Sequence, residues 1–160
     1  MTYVALQRPR LLLCKTQYVE NLTVTSLRYS RKDPLYYLVI EGKLMDVFGN
    51  NITVIFDFYQ FSNNRYLPTY VGIREKMCDF VDKHNIFGVS LLKSLGNRTC
   101  PYHPGFYHLN LTTATSLIPA SFPYRQGRMY VNISLNSHGR EGVIISGYSD
   151  LEMKTYYKKN

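Results

Sequence analysis

Apolar and polar residues alternate with a period of two over much of this chain, the signature of strands that bury one face. From Gly127 to Leu135, Met129, Val131, Ile133 and Leu135 share one face, while Arg128, Tyr130, Asn132 and Ser134 share the other. The segment from Asn51 to Phe61 sets Ile52, Val54, Phe56 and Phe58 against Asn51, Thr53, Asp57 and Tyr59. From Phe106 to Thr113, Tyr107, Leu109 and Leu111 oppose His108, Asn110 and Thr112. Further strands are predicted at 22–29, 35–44 and 143–153, with Asn136-Ser137-His138-Gly139 as a hairpin connection, so that pairing is mostly antiparallel.

The period changes between Ile73 and Leu95. Ile73, Met77, Phe80, Val81 and His84 lie at helical spacing, and a second short apolar helical segment runs from Ile86 to Leu95 and breaks at Gly96. Prolines at 68, 101, 104, 119 and 123 mark loops, and no repeat, low-complexity run or linker divides the chain. The predicted fold class is mainly β: one domain over 1–160, with two packed antiparallel sheets and a helical insertion around 73–95.

Composition agrees and narrows the function classes. The chain has 160 residues, 45% apolar and 19% charged, which excludes a disordered tail, and no apolar run approaches the about 18 residues of a bilayer-crossing helix. Fifteen Tyr and eight Phe without Trp favour strands. A net charge of +8 implies attraction to anionic surfaces, although the basic residues are scattered, with Lys154, Lys158 and Lys159 as the dense group.

Five Asn-x-Ser/Thr acceptors, at Asn21, Asn51, Asn97, Asn110 and Asn132, exceed the roughly one or two expected by chance and argue for the secretory route. On the three strands analysed above, Asn51, Asn110 and Asn132 fall on the wetter face. Leu11 to Leu13 is too short an apolar core for a signal peptide, so either the signal has been removed or the start is incomplete. In an oxidising compartment Cys14, Cys78 and Cys100 allow one disulfide and one leftover thiol, with Cys78 and Cys100 the expected pair; three buried free thiols are the alternative. The four His and three Cys lack metal-ligand spacing, and no metal or cofactor is expected.

From Cys78 onward the chain carries, in order, Cys78 within a short helix, the Cys100-Pro101 step with Gly105 after it, the Pro123, Gly127 and Tyr130 approach to a strand, and a Gly-rich final hairpin. In this order and spacing it resembles the ganglioside-activator-like branch of the ML lipid-recognition superfamily, and within it the insect secreted members, chemosensory ones included. With the upstream YLPTYVGIREKMCDFV segment, it covers residues 35 to 154. The resemblance implies an immunoglobulin-like cup whose sheets splay around an apolar cavity for a lipid or another hydrophobic ligand, without catalysis. Since sheets ordinarily pack about 10 Å apart, such a space requires them to be held open, and the helix with a Cys78–Cys100 bridge is the expected wedge. One departure is that Val143 or Ile144 stands where these proteins pair an N-terminal Cys with one in the last hairpin, which leaves Cys14 without that partner.

The expected ligand contacts are Phe56, Phe58, Phe80, Phe87, Leu91, Met129 and Val131, which are apolar and inward by parity or helix face. Plain core packing is the alternative for each. Arg65, Tyr66, Leu67, Tyr70, Val71 and Ile73 mix basic, aromatic and aliphatic groups, as expected for a rim loop that meets an anionic membrane surface; an ordinary exposed loop fits equally. No G-x-S-x-G elbow accompanies the Ser, His103, His108 and Asp57 that a triad would need, and the glycines from Gly139 to Gly147 do not form a phosphate-cradling loop. His103 and His108 flank a Tyr-rich turn and raise the idea of ligand release at acid pH. The expected function is a secreted, non-enzymatic carrier. A filled extracellular sandwich that binds other proteins is the alternative, and the glycan acceptors argue against a nucleic-acid binder.

Overall fold

The computed structural model describes residues 2–32, 35–83, 87, 89–112, 125–136 and 142–155. Its elements are β1 (Thr2–Cys14), β2 (Val19–Leu27), β3 (Tyr37–Leu44), β4 (Ile52–Ser62), β5 (Arg65–Lys76), α1 (Met77–Lys83), α2 (Val89–Leu95), β6 (Gly105–Leu111), β7 (Gln126–Leu135) and β8 (Val143–Thr155). One sheet has five strands in the order β1-β8-β7-β4-β5, and the other has three in the order β2-β3-β6. Every strand pair is antiparallel. Thus the chain is mainly β, in two layers, with two short helices.

The alternating segments form strands in the expected register. Phe56 stands opposite Val131 and Phe58 opposite Met129 on the inner face of β4 and β7, and Ile40 opposite Leu109 on the inner face of β3 and β6. Close approach between the two layers runs mainly along β1 and β2, where the Ser26 hydroxyl donates to the Leu6 carbonyl at 2.7 Å. Predicted positions at His84 and Ile86, Thr113, the connection after Asn136 and the tail lysines 158 and 159 lie outside the described residues.

Two strands escape the periodicity. β1 buries Tyr3, Val4, Ala5 and Leu6 consecutively, which hides its alternation, and Arg8-Pro9 looks like a break. Instead the strand continues through a bulge between Gln7 and Arg10, which an edge strand tolerates because its outer N–H groups need no partner. Gly147 is required beneath this bulge, since a Cβ there would lie 2.7 Å from the Arg10 carbonyl oxygen. The expected rim loop of Arg65, Tyr66, Leu67, Tyr70, Val71 and Ile73 is likewise a strand: all six lie in β5, the other edge of the larger sheet. Its alternation is lost at Thr69 and Tyr70, which fall between the Val71–Phe58 and Pro68–Tyr59 pairs. Ile73 is therefore not the start of a helix; the helical segment begins at Met77.

The outer face of the larger sheet carries an aromatic and ionic clasp. The Arg128 guanidinium lies between the rings of Tyr66 and Tyr148, 4.1 and 4.0 Å from their centroids, and donates to Asp150 Oδ1 at 2.7 Å. Arg8 reaches Asp150 Oδ2 at 3.0 Å. Four strands, β1, β5, β7 and β8, are thereby joined through one buried carboxylate. Burial alone would raise the Asp150 pKa, but hydrogen bonds from Arg128 and Arg8 outweigh it and hold the carboxyl below its ordinary value. The hydrogen bond to Asp150 correspondingly raises Arg128.

At one end of the sandwich, α1 packs against β4 and β5, and α2 packs against β6. Ser90 and Ser94 fasten α2 to its strand: their hydroxyls accept from the Thr112 and Asn110 N–H groups, each at 3.0 Å. A disulfide joins Cys78 of α1 to Cys100, 22 residues on, in the segment that leads to β6. Beside it Phe48 and Tyr102 exchange both backbone hydrogen bonds, at 2.9 and 2.8 Å. The Cys14 thiol is free and donates to the Val19 carbonyl at 3.4 Å, and burial pushes its pKa up.

Replacing Arg128 by Met should leave Arg8 as the one cation on the buried Asp150, beside the Tyr66 hydroxyl at 3.4 Å, and lower the unfolding free energy in urea by about 2 kcal/mol. Because the folded Asp150 pKa lies below the unfolded value of about 3.9, the ionised clasp contributes in full above that pH and is lost as pH falls through the folded pKa. Urea midpoints of an Asp150→Asn variant, lower at neutral pH, should therefore converge on those of the wild type as the pH drops. Replacing both Cys78 and Cys100 by Ser should cost about 3 kcal/mol by freeing the closed loop in the unfolded chain, read as a fall in the thermal midpoint.

Candidate ligand-binding site

The inward faces of the two sheets do not close on each other. A cavity of about 300 Å³ lies between them, with walls that are almost entirely apolar. Met129, Val131 and Ile133 of β7 and Ile145 of β8 form one side, together with Val54 and Phe56 of β4. Leu22 and Val24 of β2, Leu38 and Ile40 of β3, and Tyr107, Leu109 and Leu111 of β6 form the other. Val24, Ile40, Leu109, Val131 and Ile133 face inward yet remain half-buried, because the space in front of them is empty of protein atoms.

The helices close one end of this space. Phe80 of α1 stacks on Phe56 with centroids 5.2 Å apart, and Phe87 meets Phe56 edge-on at 6.2 Å. Val81 of α1 and Leu91 and Leu95 of α2 complete this buried end, with Phe48 and Tyr102 beside them. At the β1 bulge the wall passes through Pro9, Arg10 and Leu11, and Arg10 is its one exposed member among the described residues.

Two polar side chains along the wall, Ser149 and Tyr107, are engaged elsewhere. The Ser149 hydroxyl donates to the Gln7 carbonyl at 3.1 Å, and the Tyr107 hydroxyl donates to the His103 carbonyl at 2.8 Å. Burial, with the charge of Asp82 behind it, raises the Tyr102 pKa and keeps that phenol neutral. Such a wall can hold apolar matter by desolvation and shape, and among the described residues it brings no acid and base together.

Six of the seven expected contact residues meet at this cavity: Phe56, Phe80, Phe87, Leu91, Met129 and Val131. Phe58 shares their parity but does not line it; its ring lies over Gly127, where a Cβ would come within 2.6 Å of it. The wall contributed by β2 and β3 was not among the expected contacts. The alternation Leu38, Ile40, Gly42, Leu44 is the signal that would have found it, since all four line the space. None of the six residues in β5 reaches the cavity. Tyr70 is 97% exposed at a φ of 63°, Val71 beside it is exposed, and Tyr66 belongs to the clasp.

His108 Nδ1 lies 2.6 Å from Glu41 Oε1, and neither His108 nor His103 lines the cavity, so the acid-release idea has no imidazole at the wall. Asp57 lies on β4 in the larger sheet, whereas His108 lies on β6 in the smaller one. Among the described residues no three His, Cys, Asp or Glu side chains converge as metal ligands. Of the glycan acceptors, Asn21, Asn51 and Asn97 are exposed and Asn132 is half-buried. Asn110 is also half-buried, and its amide donates to the Tyr29 hydroxyl at 2.6 Å.

No protein-family model matches the chain. No curated protein matches it either. Among solved structures, the chain is similar to chicken MD-1 in its crystal structure complexed with lipid IVa, at 14% sequence identity and a TM-score of 0.41, over 98% of this chain and 99% of that one.

Proposed function

We propose that this protein is a secreted, non-enzymatic carrier of a lipid or another small hydrophobic ligand, of the ML lipid-recognition type. The observation that carries the reading is the apolar cavity of about 300 Å³ held open between two sheets. Each methylene moved from water into such a space contributes about 0.8 kcal/mol, so a chain of about a dozen contributes about 10 kcal/mol, of the same order as an association cost of about 4–15 kcal/mol. The open interior weighs against a filled sandwich acting only as a protein-interaction module.

The disulfide, with exposed acceptors at Asn21, Asn51 and Asn97, supports an extracellular setting. Resemblance to the insect secreted members is the ground for chemosensing or lipid presentation as its role. Transient contact with an anionic membrane surface belongs to the same reading, supported by the net charge of +8 and by Tyr70 and Val71 projecting from an edge strand.

Protein purified from a eukaryotic secretory host should yield a hydrophobic small molecule in solvent extracts analysed by mass spectrometry. It should also bind N-phenyl-naphthylamine with enhanced fluorescence. Leu109→Gln, which places an amide on the wall, should weaken that binding roughly tenfold. A folded protein whose extracts are empty and which leaves the probe dark would refute the carrier.

A further inference from the structure

The size and the polarity of the cavity together restrict what it accepts. An apolar cavity of about 150 Å³ in another protein holds one benzene ring, so by proportion about 300 Å³ holds about a dozen carbon atoms. A diacyl lipid carries on the order of three times as many, and its second chain would have no apolar surface to cover it. The helical end is sealed by Phe56, Phe80 and Phe87, so a longer chain cannot extend past it without displacing a stacked aromatic cluster.

Polarity gives the second restriction. Ser149 and Tyr107, polar residues on the wall, already donate to protein carbonyls. A hydroxyl or carboxylate drawn deeper than Arg10, the exposed charged group at the edge of the wall, would lose its water without a free Ser149 or Tyr107 hydroxyl to replace it. The head of an amphiphile therefore has to stay outside the apolar wall.

We propose that the cavity selects a single aliphatic chain of about a dozen carbons, taken tail first with any polar head left in solvent, and excludes two-chain lipids. This rests on the carrier reading and deepens it by naming the ligand class. The test is displacement of N-phenyl-naphthylamine from the full chain by primary alcohols from hexanol to octadecanol, and by dioleoylphosphatidylcholine vesicles. Affinity should rise about fourfold per methylene and level off near dodecanol, while the vesicles displace little. In Val131→Phe, where the added ring fills part of the space, the plateau should arrive about two carbons earlier.

A rise that continues unbroken to octadecanol, displacement by the vesicles as effective as by dodecanol, or a Val131→Phe plateau that does not move would overturn the size selection while leaving the carrier intact. If neither probe nor any alcohol binds the folded protein, the carrier reading falls as well.

Discussion

The interior of this protein is governed by a mismatch between two layers that are joined along one side and propped apart at one end. β1 and β2 approach closely, which fixes the two sheets to each other at a seam. Toward β5 and β6 the sheets are separated by α1 and α2; Phe80 of α1 stacks on Phe56, and Val81, Leu91 and Leu95 are buried beside it. Sheets ordinarily pack about 10 Å apart with interdigitated side chains. Here the helices occupy part of that contact, so the strand residues beyond them face space rather than one another. The Cys78–Cys100 bridge joins α1 to the approach to β6 and so links the prop to both layers.

An open interior forgoes dispersion contacts that a closed core would make, and the structure offsets that loss on the outside of the larger sheet. Arg128 is held between two tyrosine rings and shares a buried carboxylate with Arg8, so four strands are tied at one point without filling the inside. Tyr59, Tyr130 and Tyr148 continue this layer as ring contacts 5.0 and 5.5 Å between centroids. Rigidity on the outer face and emptiness on the inner one are compatible because successive side chains of a strand point to opposite sides.

Binding in such a space differs from binding in a site with directed hydrogen bonds. Among the described residues the one charged side chain on the wall, Arg10, is exposed at its edge, and the Ser149 and Tyr107 hydroxyls are turned to protein acceptors. Discrimination then has to come from volume and shape, the two properties that propped sheets control. The exposed, strained Tyr70 on β5 stands away from this chemistry, on an edge that the cavity does not reach.

Much of the layering was legible in the residues themselves. The alternation at 51–61, 106–113 and 127–135 determines which side chains turn inward, because a one-residue slip would put every apolar group into water. It therefore turns Phe56, Met129 and Val131 toward the interior, and the helical spacing around Phe80 and Leu91 places the insertion. Alternation does not say how far an inward side chain is from the layer opposite. Phe58 obeys the same parity as Phe56 but packs over Gly127, and Ile40 and Leu22 read as ordinary strand residues until the facing sheet is known. β1 lacked a readable period because bulges and consecutive buried residues break it, and β5 because a bulge interrupts it at Thr69 and Tyr70. Local sequence thus determined the inner and outer faces, whereas the distance between the layers, and with it the existence of the cavity, was decided only by how the helices and the seam seat two sheets in three dimensions.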